Sequence, residues 1–293
     1  MSIDHKGNSM KNLLSILLVL FEINGAFCQE VKLSNETPSP FTIKGSEVYS
    51  LTSQINGTEY KIYVQLPKSY RDSTSKIYPV MYMLDANNVF GMAVEITTFL
   101  QFSEEVPEII LVGIGYGVGI GEPGNNRVHD FLPTVVPERN GSGGGLAFLE
   151  VISNEIIPFV EGKFRIEGSN RGLWGGSAGG LLALTALFQK PELFKKYIIN
   201  SPVFYSDAIQ FNYEQSYAAM HTNLSADIFT CVGALESEEK LIKPLQQLVE
   251  KLEQRNYKNL KILYKVLDGE GHTSGVGRAF SDGVRFVYKK DRQ

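Results

Sequence analysis

The sequence has little cysteine, little histidine and no surplus of basic residues. Its 293 residues include two cysteines and four histidines, and 28 basic residues stand against 32 acidic ones, a net charge of −4. Nucleic acid is not an expected partner, because binding a phosphate backbone needs a basic surplus. No HExxH or CxxC spacing occurs, so neither a metal site nor a cofactor is predicted.

Long apolar runs are also absent, apart from one near the amino terminus. Leu13–Phe21 follows two lysines and is too short to span a bilayer, which is typical of a signal peptide. Cleavage after Cys28 is predicted, so residues 1–28 form the signal and the chain is exported, periplasmic or secreted, with no membrane span left. Lipidation at Cys28 is less favoured because the bulky Phe27 precedes it. Only Cys231 then remains, which excludes an intramolecular disulfide.

The remainder of the chain is interpreted as a flexible lead-in, residues 29–40, and a single domain, residues 41–293. Two short alternating segments, Glu47–Gln54 and Glu59–Leu66, flank an Asn-Gly pair that tolerates the positive φ angles of a tight turn. The sequence therefore predicts an antiparallel hairpin at the start of the domain.

Apolar runs that alternate with helical periodicity fill the rest of the domain. Short runs of this kind are typical of buried parallel strands, and amphipathic segments such as Phe148–Phe164 come between them. The alternation predicts an α/β domain with a mostly parallel central sheet and helices on both faces. The predicted strands are Tyr78–Leu84, Ile109–Ile114, Gly172–Trp174, Tyr197–Ile199, Ile228–Val232 and Leu260–Val266.

A GxSxG motif at Gly175, Ser177 and Gly179 follows one of these strands and precedes the helical segment Leu181–Gln189. A serine on such a tight strand-to-helix turn is exposed above the sheet, and small residues two positions away on either side avoid a collision. Ser177 is therefore the predicted nucleophile. By contrast, the GxGxxG that starts at Gly119 leads into a polar, irregular stretch, so no dinucleotide site is predicted.

A serine hydroxyl needs a base to take its proton, and in hydrolases with this turn the histidine follows the last strand. His272 comes soon after the strand Leu260–Val266 and is the predicted base. The acid is expected after the preceding strand, where Glu236 is the predicted residue and Glu238 and Glu239 are alternatives. All three also fit the first turn of the following helix, where acids complement the helix dipole.

Attack on a carbonyl carbon produces an oxyanion, which two backbone N–H groups are expected to bind. The amide of Ala178, directly after the nucleophile, is the first predicted donor, and the loop after Tyr78–Leu84 is expected to provide the second. That loop begins at Asp85, and Asn87 is the predicted second donor. Asp and Asn also favour ordinary turns, whatever the function.

Seven segments of the chain carry a family resemblance. They are Tyr78–Asp85, Val112–Tyr116, Arg127–Pro133, Gly175–Gly180, Asn200–Pro202, Gly233–Glu236 and Glu270–His272. Together they resemble the esterase family that includes enterobactin-type siderophore esterases, feruloyl esterases and S-formylglutathione hydrolases. The resemblance covers most of the chain after the signal and is closest to the siderophore-esterase branch. It implies the α/β-hydrolase fold, with Ser177 and His272 at catalytic positions.

Some positions depart from the family pattern or are assigned a structural role. Gly176 stands where relatives usually carry histidine, and the Gly-rich segment that starts at Gly141 lacks an acidic residue often found there. Both positions bear on substrate identity rather than on the catalytic groups. Arg127 and Asp130 match a pair of the family, and a structural ion pair under the active-site loop is predicted for them in preference to a catalytic role.

The residues and the resemblance together imply a serine-dependent carboxylic ester hydrolase that forms an acyl-enzyme, acting on a siderophore, feruloyl or acetylated carbohydrate ester. Two alternatives stay open: acyl transfer on the same scaffold, and a non-catalytic module that binds a ligand or glycan. The aromatic stretch from Phe204 to Tyr217 is either a lid over the substrate or a helix between strands. The expected partner is a small-molecule or carbohydrate-linked ester, and the sequence indicates no oligomeric state.

Overall fold

The computed structural model describes residues 39–205 and 208–289, and the chain divides into a first unit, residues 1–42, and a second unit, residues 43–293. The predicted signal peptide, residues 1–28, lies outside the described residues, as does all but the end of the lead-in. Every helix and strand given below belongs to the second unit. The predicted domain boundaries stay a prediction.

In the described part of the chain, eight strands form one sheet. They are β1 (Ser46–Thr52), β2 (Glu59–Gln65), β3 (Tyr78–Met83), β4 (Ile110–Gly115), β5 (Ile166–Gly176), β6 (Lys196–Asn200), β7 (Asn223–Gly233) and β8 (Lys258–Leu267). Their order is β1-β2-β4-β3-β5-β6-β7-β8. β2 pairs antiparallel with both β1 and β4, and every other pair is parallel. The predicted antiparallel hairpin and mostly parallel sheet are confirmed.

The helices of the described residues are α1 (Ala86–Phe102), α2 (Arg127–Phe131), α3 (Gly145–Val151), α4 (Ile157–Lys163), α5 (Ala178–Gln189), α6 (Ile209–Met220), α7 (Lys243–Arg255) and α8 (Val276–Val287). A π-helical turn, Ile152–Ile156, joins α3 to α4, and a second one, Glu238–Ile242, leads into α7. A short 3₁₀ turn, Lys68–Tyr70, precedes β3. Within residues 39–205 and 208–289, no helix is both long enough and apolar enough to cross a membrane.

Both faces of the central strands are buried, and β3 shows how the sequence achieves this. Side chains alternate across a strand, so Val80 and Tyr82 belong to one apolar cluster while Met81 and Met83 belong to another. Helices α3 to α7 pack on the first face, and α1 and α8 cover the second. This burial on two sides explains the continuous apolar runs from which the strands are predicted.

Several predicted elements differ from the structure in length; β7, for example, spans Asn223–Gly233 rather than Ile228–Val232 alone. β5 spans Ile166–Gly176 rather than Gly172–Trp174 alone, because its polar first half still pairs with β3 across a bulge between Tyr78 and Val80. The predicted helix Phe148–Phe164 begins earlier, at the start of α3, and contains the π-helical turn. A strand that begins with polar residues is predicted too short when strands are identified from apolar runs alone.

The aromatic stretch with two interpretations consists of helix α6 and the segment before it. Tyr217 is buried, whereas Phe204 and Phe211 are partly buried against the apolar core. The rings of Phe204 and Phe211 also lie 6.0 Å apart, centre to centre. The structure favours a packed helix that connects β6 to β7 over a free lid.

Candidate active site

The predicted catalytic residues lie where parallel strands end. β5 ends directly before Ser177, β7 ends three residues before Glu236, and β8 ends five residues before His272. In the sheet, β6 separates β5 from β7, and β8 lies beside β7. Because parallel strands share a carboxyl edge, all three residues lie at one edge of the sheet, which is where open α/β sheets bind ligands.

Ser177 has a backbone conformation that residues with side chains rarely adopt. Its φ is 56° and its ψ is −121°, directly before helix α5. Its N–H donates to the carbonyl oxygen of Asn200 at 2.9 Å, and its own carbonyl oxygen accepts from the N–H of Leu181 at 3.1 Å. These bonds maintain a strained turn. Strain of this kind costs about 1–3 kcal/mol and clusters at functional sites.

Close contacts explain the glycines around Ser177, but not at every predicted position. A Cβ on Gly175 would lie 2.2 Å from the carbonyl oxygen of Gly179, so glycine is required there. A Cβ on Gly179 would meet only ordinary contacts, the nearest at 3.5 Å. A Cβ on Gly180 would lie 3.0 Å from the Cα of Pro202. The prediction that a side chain at position 179 would collide is therefore wrong. The tight contact after the nucleophile lies one residue later, at Gly180.

Glu236 and His272 are in direct contact. Glu236 Oε2 lies 2.6 Å from His272 Nδ1, and the acid side chain is 2% exposed while the imidazole is 40% exposed. The second oxygen, Oε1, accepts hydrogen bonds from the N–H of Gly233 at 2.8 Å and from Ser201 Oγ at 2.5 Å. A carboxylate beside Nδ1 favours the tautomer with the proton on that nitrogen. His272 Nε2 is then free to accept a proton.

The loops that carry the acid and the base are also joined through their backbones. The N–H of Ala234 donates to the carbonyl oxygen of Leu267, and the N–H of Leu235 donates to that of Glu270, both at 2.9 Å. A Cβ on Gly233 would lie 2.4 Å from the carbonyl oxygen of Glu270. The end of β7 and the loop after β8 therefore approach at a distance that only glycine permits, close to Glu236 and His272.

The two alternative acids lie outside this contact. Glu238 and Glu239 begin the π-helical turn before α7, and both are exposed. Ser237 caps this turn by accepting a hydrogen bond from the N–H of Lys240 at 3.3 Å. Glu239 pairs with Lys243 at 2.5 Å. The position of both glutamates matches the first-turn interpretation, in which they complement the helix dipole.

The two predicted oxyanion donors both lie at helix starts. Ala178 is the first residue of α5, and Asn87 is the second residue of α1. Amides in a first helical turn have no acceptor within the helix and are suited to anions. The Asn87 side chain is otherwise engaged, because Oδ1 accepts from the N–H of Tyr116 at 2.7 Å and Nδ2 donates to the Tyr63 hydroxyl at 3.0 Å. The assignment of the two donors stays a prediction.

The ion pair predicted between Arg127 and Asp130 is wrong, because Arg127 has another partner. Its guanidinium donates to both carboxylate oxygens of Asp85, at 2.6 and 2.9 Å, and reaches the carbonyl oxygen of Gly176 at 3.5 Å. Burial raises the pKa of Asp85, and the guanidinium opposes that rise. Arg127 therefore connects the end of β3 with the turn before the nucleophile.

Asp130 faces the core instead. It is fully buried and accepts hydrogen bonds from the hydroxyls of Tyr60 at 2.8 Å and Tyr116 at 2.9 Å, and it lies 2.8 Å from His129 Nδ1. Burial raises the pKa of both tyrosines, so their hydroxyls keep the protons that they donate. Asp130 joins α2 to β2 and to the residue after β4, which is a structural role.

The sequence of the chain matches a known protein family. Residues 53–274 of the chain match the family described as "Putative esterase". The chain belongs to this esterase family. The match covers the hairpin turn and the predicted nucleophile, acid and base, so the resemblance predicted from the sequence is confirmed and the protein is an esterase.

Individual relatives of this esterase extend the comparison. Ferri-bacillibactin esterase BesA of Bacillus subtilis is 29% identical over 274 residues, which cover 87% of this chain and 93% of that protein. The siderophore triacetylfusarinine C esterase of Aspergillus fumigatus is 33% identical over 172 residues, which cover 57% of this chain and 59% of that protein. The crystal structure of the BES protein from Bacillus cereus superposes with a TM-score of 0.80 at 29% identity, and the match covers 88% of this chain and all of that one.

The esterase also has two polar side chains at this edge that are not among the predicted site residues. Asp85 has a φ of 57° and binds Arg127, and Ser201 has a φ of 45° and contacts Glu236. Both lie in segments that carry the family resemblance, but their contacts come from the fold and not from a motif. Among residues 39–205 and 208–289, no group of three or more His, Cys, Asp or Glu side chains is placed to hold a metal ion.

Proposed function

We propose that this esterase hydrolyses a siderophore ester by a serine mechanism. Ser177 attacks the ester carbonyl, His272 takes the serine proton and returns it to the leaving alcohol, and Glu236 orients the imidazole. The N–H groups of Ala178 and Asn87 stabilise the oxyanion. Water then releases the acid from the acyl-enzyme with His272 as the base again.

The contact between Glu236 and His272 is the observation that carries this proposal. A carboxylate that is 2% exposed holds Nδ1 of a half-exposed imidazole at 2.6 Å, at the edge of the sheet where the strained Ser177 directly follows β5. A buried acid of this kind stabilises the imidazolium that forms when histidine accepts a proton. A purely structural acid–histidine pair would have no need of a strained serine at the same edge.

The substrate class is proposed from the relatives. A ferri-bacillibactin esterase matches most of this chain, and a triacetylfusarinine C esterase matches more than half of it. Both names refer to ester-linked siderophores, so an ester of that class is the proposed substrate here. Feruloyl and acetylated carbohydrate esters are the comparison substrates that would reveal a different preference.

The test is hydrolysis by the purified protein of a nitrophenyl acetate, ferri-bacillibactin, triacetylfusarinine C, a feruloyl ester and an acetylated xylan fragment. Ser177→Ala and His272→Ala are each expected to lower kcat/KM for the substrates that are cleaved by about 10³- to 10⁶-fold. Ser169→Ala is the matched control, because Ser169 is an exposed serine on the same strand β5. An active Ser177→Ala variant would contradict the serine mechanism, and faster cleavage of the feruloyl or sugar ester would contradict the substrate class.

Export of the protein is part of the same proposal. The short apolar run Leu13–Phe21 after two lysines supports a signal peptide. When the full chain is expressed in a bacterium, the exported form is expected to begin at Gln29. A protein that keeps its first 28 residues in the cytoplasm would contradict export, and a lipid on Cys28 would contradict simple cleavage after that residue.

A further inference from the structure

We propose that Ser201 is a positioning residue of this esterase, whose hydroxyl holds the Glu236 carboxylate in the orientation that orders His272. This inference rests on the serine mechanism proposed above. Ser201 Oγ lies 2.5 Å from Glu236 Oε1, and the serine is 1% exposed. Ser201 acts through Glu236 rather than on the substrate.

The single proton of the Ser201 hydroxyl has two acceptors within reach. Glu236 Oε1 lies at 2.5 Å and Asn200 Oδ1 at 3.3 Å. A hydrogen bond to an ionised carboxylate is shorter and about twice as strong as one between neutral groups. The proton therefore points to Glu236, and the hydroxyl supplies a donor to an acid that water hardly reaches.

The two hydrogen-bond donors to Glu236 Oε1 lie at the ends of different strands of the sheet. Glu236 Oε1 also accepts from the N–H of Gly233, but Gly233 is the last residue of β7, the acid's own strand, and lies three residues before the acid. Ser201 follows β6, which is the strand between the nucleophile's strand and the acid's strand. The hydroxyl therefore fixes the carboxylate relative to β6, the neighbour of the nucleophile's strand, and not only relative to β7, the acid's own strand.

The backbone at Ser201 has a positive φ, as it does at the nucleophile. φ is positive at Asp85 (57°), Ser177 (56°) and Ser201 (45°), which follow the neighbouring strands β3, β5 and β6. A positive φ is uncommon for residues other than glycine, and such strain concentrates where a side chain must be aimed. Glycine would make the turn after β6 without strain, but it would bring no hydroxyl to Glu236.

Residues 200–203, here called the bridging segment, connect the nucleophile with the acid. The carbonyl oxygen of Asn200 accepts from the N–H of Ser177 at 2.9 Å, and the N–H of Val203 donates to the carbonyl oxygen of Ser177 at 3.3 Å. On its other side, the N–H of Ser201 donates to the carbonyl oxygen of Cys231 in β7 at 2.8 Å. Through this segment, one piece of backbone sets the positions of both catalytic groups.

The first test compares Ser201→Ala with Thr230→Val. Thr230 also has a buried hydroxyl, but it donates to the carbonyl oxygen of Ile199 at 3.1 Å. For nitrophenyl acetate, Ser201→Ala is expected to lower kcat by about 10- to 100-fold and to change KM by less than about twofold. Thr230→Val is expected to lower stability in urea and to leave kcat within about twofold. If Ser201→Ala does not fold, Ser201→Gly removes the same hydroxyl and relieves the positive φ.

The second test is a double-mutant cycle with Glu236→Gln, because a residue that acts through the acid has nothing to add once the acid is lost. In the Glu236→Gln background, Ser201→Ala is expected to change kcat by less than about twofold. Equal losses in both backgrounds, or a Ser201→Ala variant with the kcat of wild type, would overturn this proposal alone. An active Ser177→Ala variant would overturn the serine mechanism and this proposal with it.

Discussion

Three glutamates lie within the six residues that follow β7, and their surroundings differ sharply. The Glu236 carboxylate is buried and points to His272, whereas Glu238 and Glu239 are exposed at the start of the next helical segment. Glu239 is further engaged by Lys243. Burial and direction therefore separate one carboxylate that can stabilise an imidazolium from two that act on the helix dipole.

Glu236→Gln is expected to lower kcat/KM by about 10²- to 10⁴-fold, because an amide can stabilise the wrong imidazole tautomer and carries no charge. Glu238→Gln is the matched control and is expected to stay within about twofold of wild type, since Glu238 lies outside the acid–base contact. Both variants are assayed on the same nitrophenyl ester after their circular dichroism spectra are compared. A large loss of kcat/KM in Glu238→Gln, together with an active Glu236→Gln variant, would show that Glu238 in the helical turn is the catalytic acid instead.

At the same scale, the sequence predicts which residue types the chemistry needs but not all of their partners. Ser177, Glu236 and His272 could be proposed because their order along the chain and their place after strands follow from the mechanism. The partner of Arg127 could not, because Asp85 is 42 residues away along the chain and meets it only when β3 and α2 pack together. Side-chain direction on a short helix decides such contacts, and no sequence spacing reports it.

At the scale of elements, the seating of α8 on the sheet determines where the base can lie. This helix begins at Val276, four residues after His272, and its Gly283 packs against Ile198 of β6. A Cβ on Gly283 would lie 2.4 Å from Ile198 Cγ2. In the same helix, a Cβ on Gly277 would meet its nearest neighbour, Met92 Sδ, at 3.6 Å. Close packing therefore requires glycine at position 283 but not at position 277.

Gly283→Ala is expected to lower the free energy of unfolding by about 1–3 kcal/mol, since an overpacked contact forces the helix away from the strand. Gly277→Ala is expected to raise it by up to about 1 kcal/mol, because alanine is the better helix former and has room. The measurement is the urea midpoint of both variants, with the slope of the transition unchanged. Equal effects of the two substitutions would show that Ile198 yields and that the close contact is not tight.

Element types were easier to predict from the sequence than element lengths. Buried parallel strands such as β3 and β4 appear as apolar runs because helices cover both of their faces. The first half of β5 carries a polar stretch, residues 167–171, and is joined to β3 across a bulge, so no apolar run reports it. The π-helical turn Ile152–Ile156 leaves the apolar periodicity on both sides nearly intact, and it is invisible for that reason.

At the scale of the whole molecule, the order of the strands depends on packing that periodicity does not encode. The alternation of strands and helices predicts a parallel sheet, but it does not say that β4 lies between β2 and β3. The family resemblance carries that information instead. The resulting order puts β7 between β6 and β8, so Cys231 is enclosed on both sides within the sheet and is 0% exposed.

The enclosed Cys231 thiol offers a measure of how the whole sheet opens. Burial raises the pKa of this thiol to about 12, and the carboxylates of Asp282 and Glu236 raise it in the same direction. An exposed cysteine has a pKa of about 8.5, so at pH 8 the folded protein holds about 10³-fold less thiolate than an unfolded chain. Above about pH 8.5 the unfolded chain loses a proton that the folded protein keeps until about pH 12, so this group lowers stability as pH rises through that interval.

A chain that begins at Gln29 carries one cysteine, so alkylation by iodoacetamide reports on Cys231 alone. At pH 8 without denaturant, labelling is expected to be more than about 10³-fold slower than in the fully unfolded protein. The lower thiolate fraction alone accounts for about 10³-fold, and the reagent must also reach the centre of the sheet. Labelling and loss of esterase activity are expected to rise together along the urea transition. Rapid labelling without urea, with activity retained, would mean that β8 separates from β7 while the contact between Glu236 and His272 stays intact. The backbone hydrogen bonds between the loops that follow these two strands argue against that outcome.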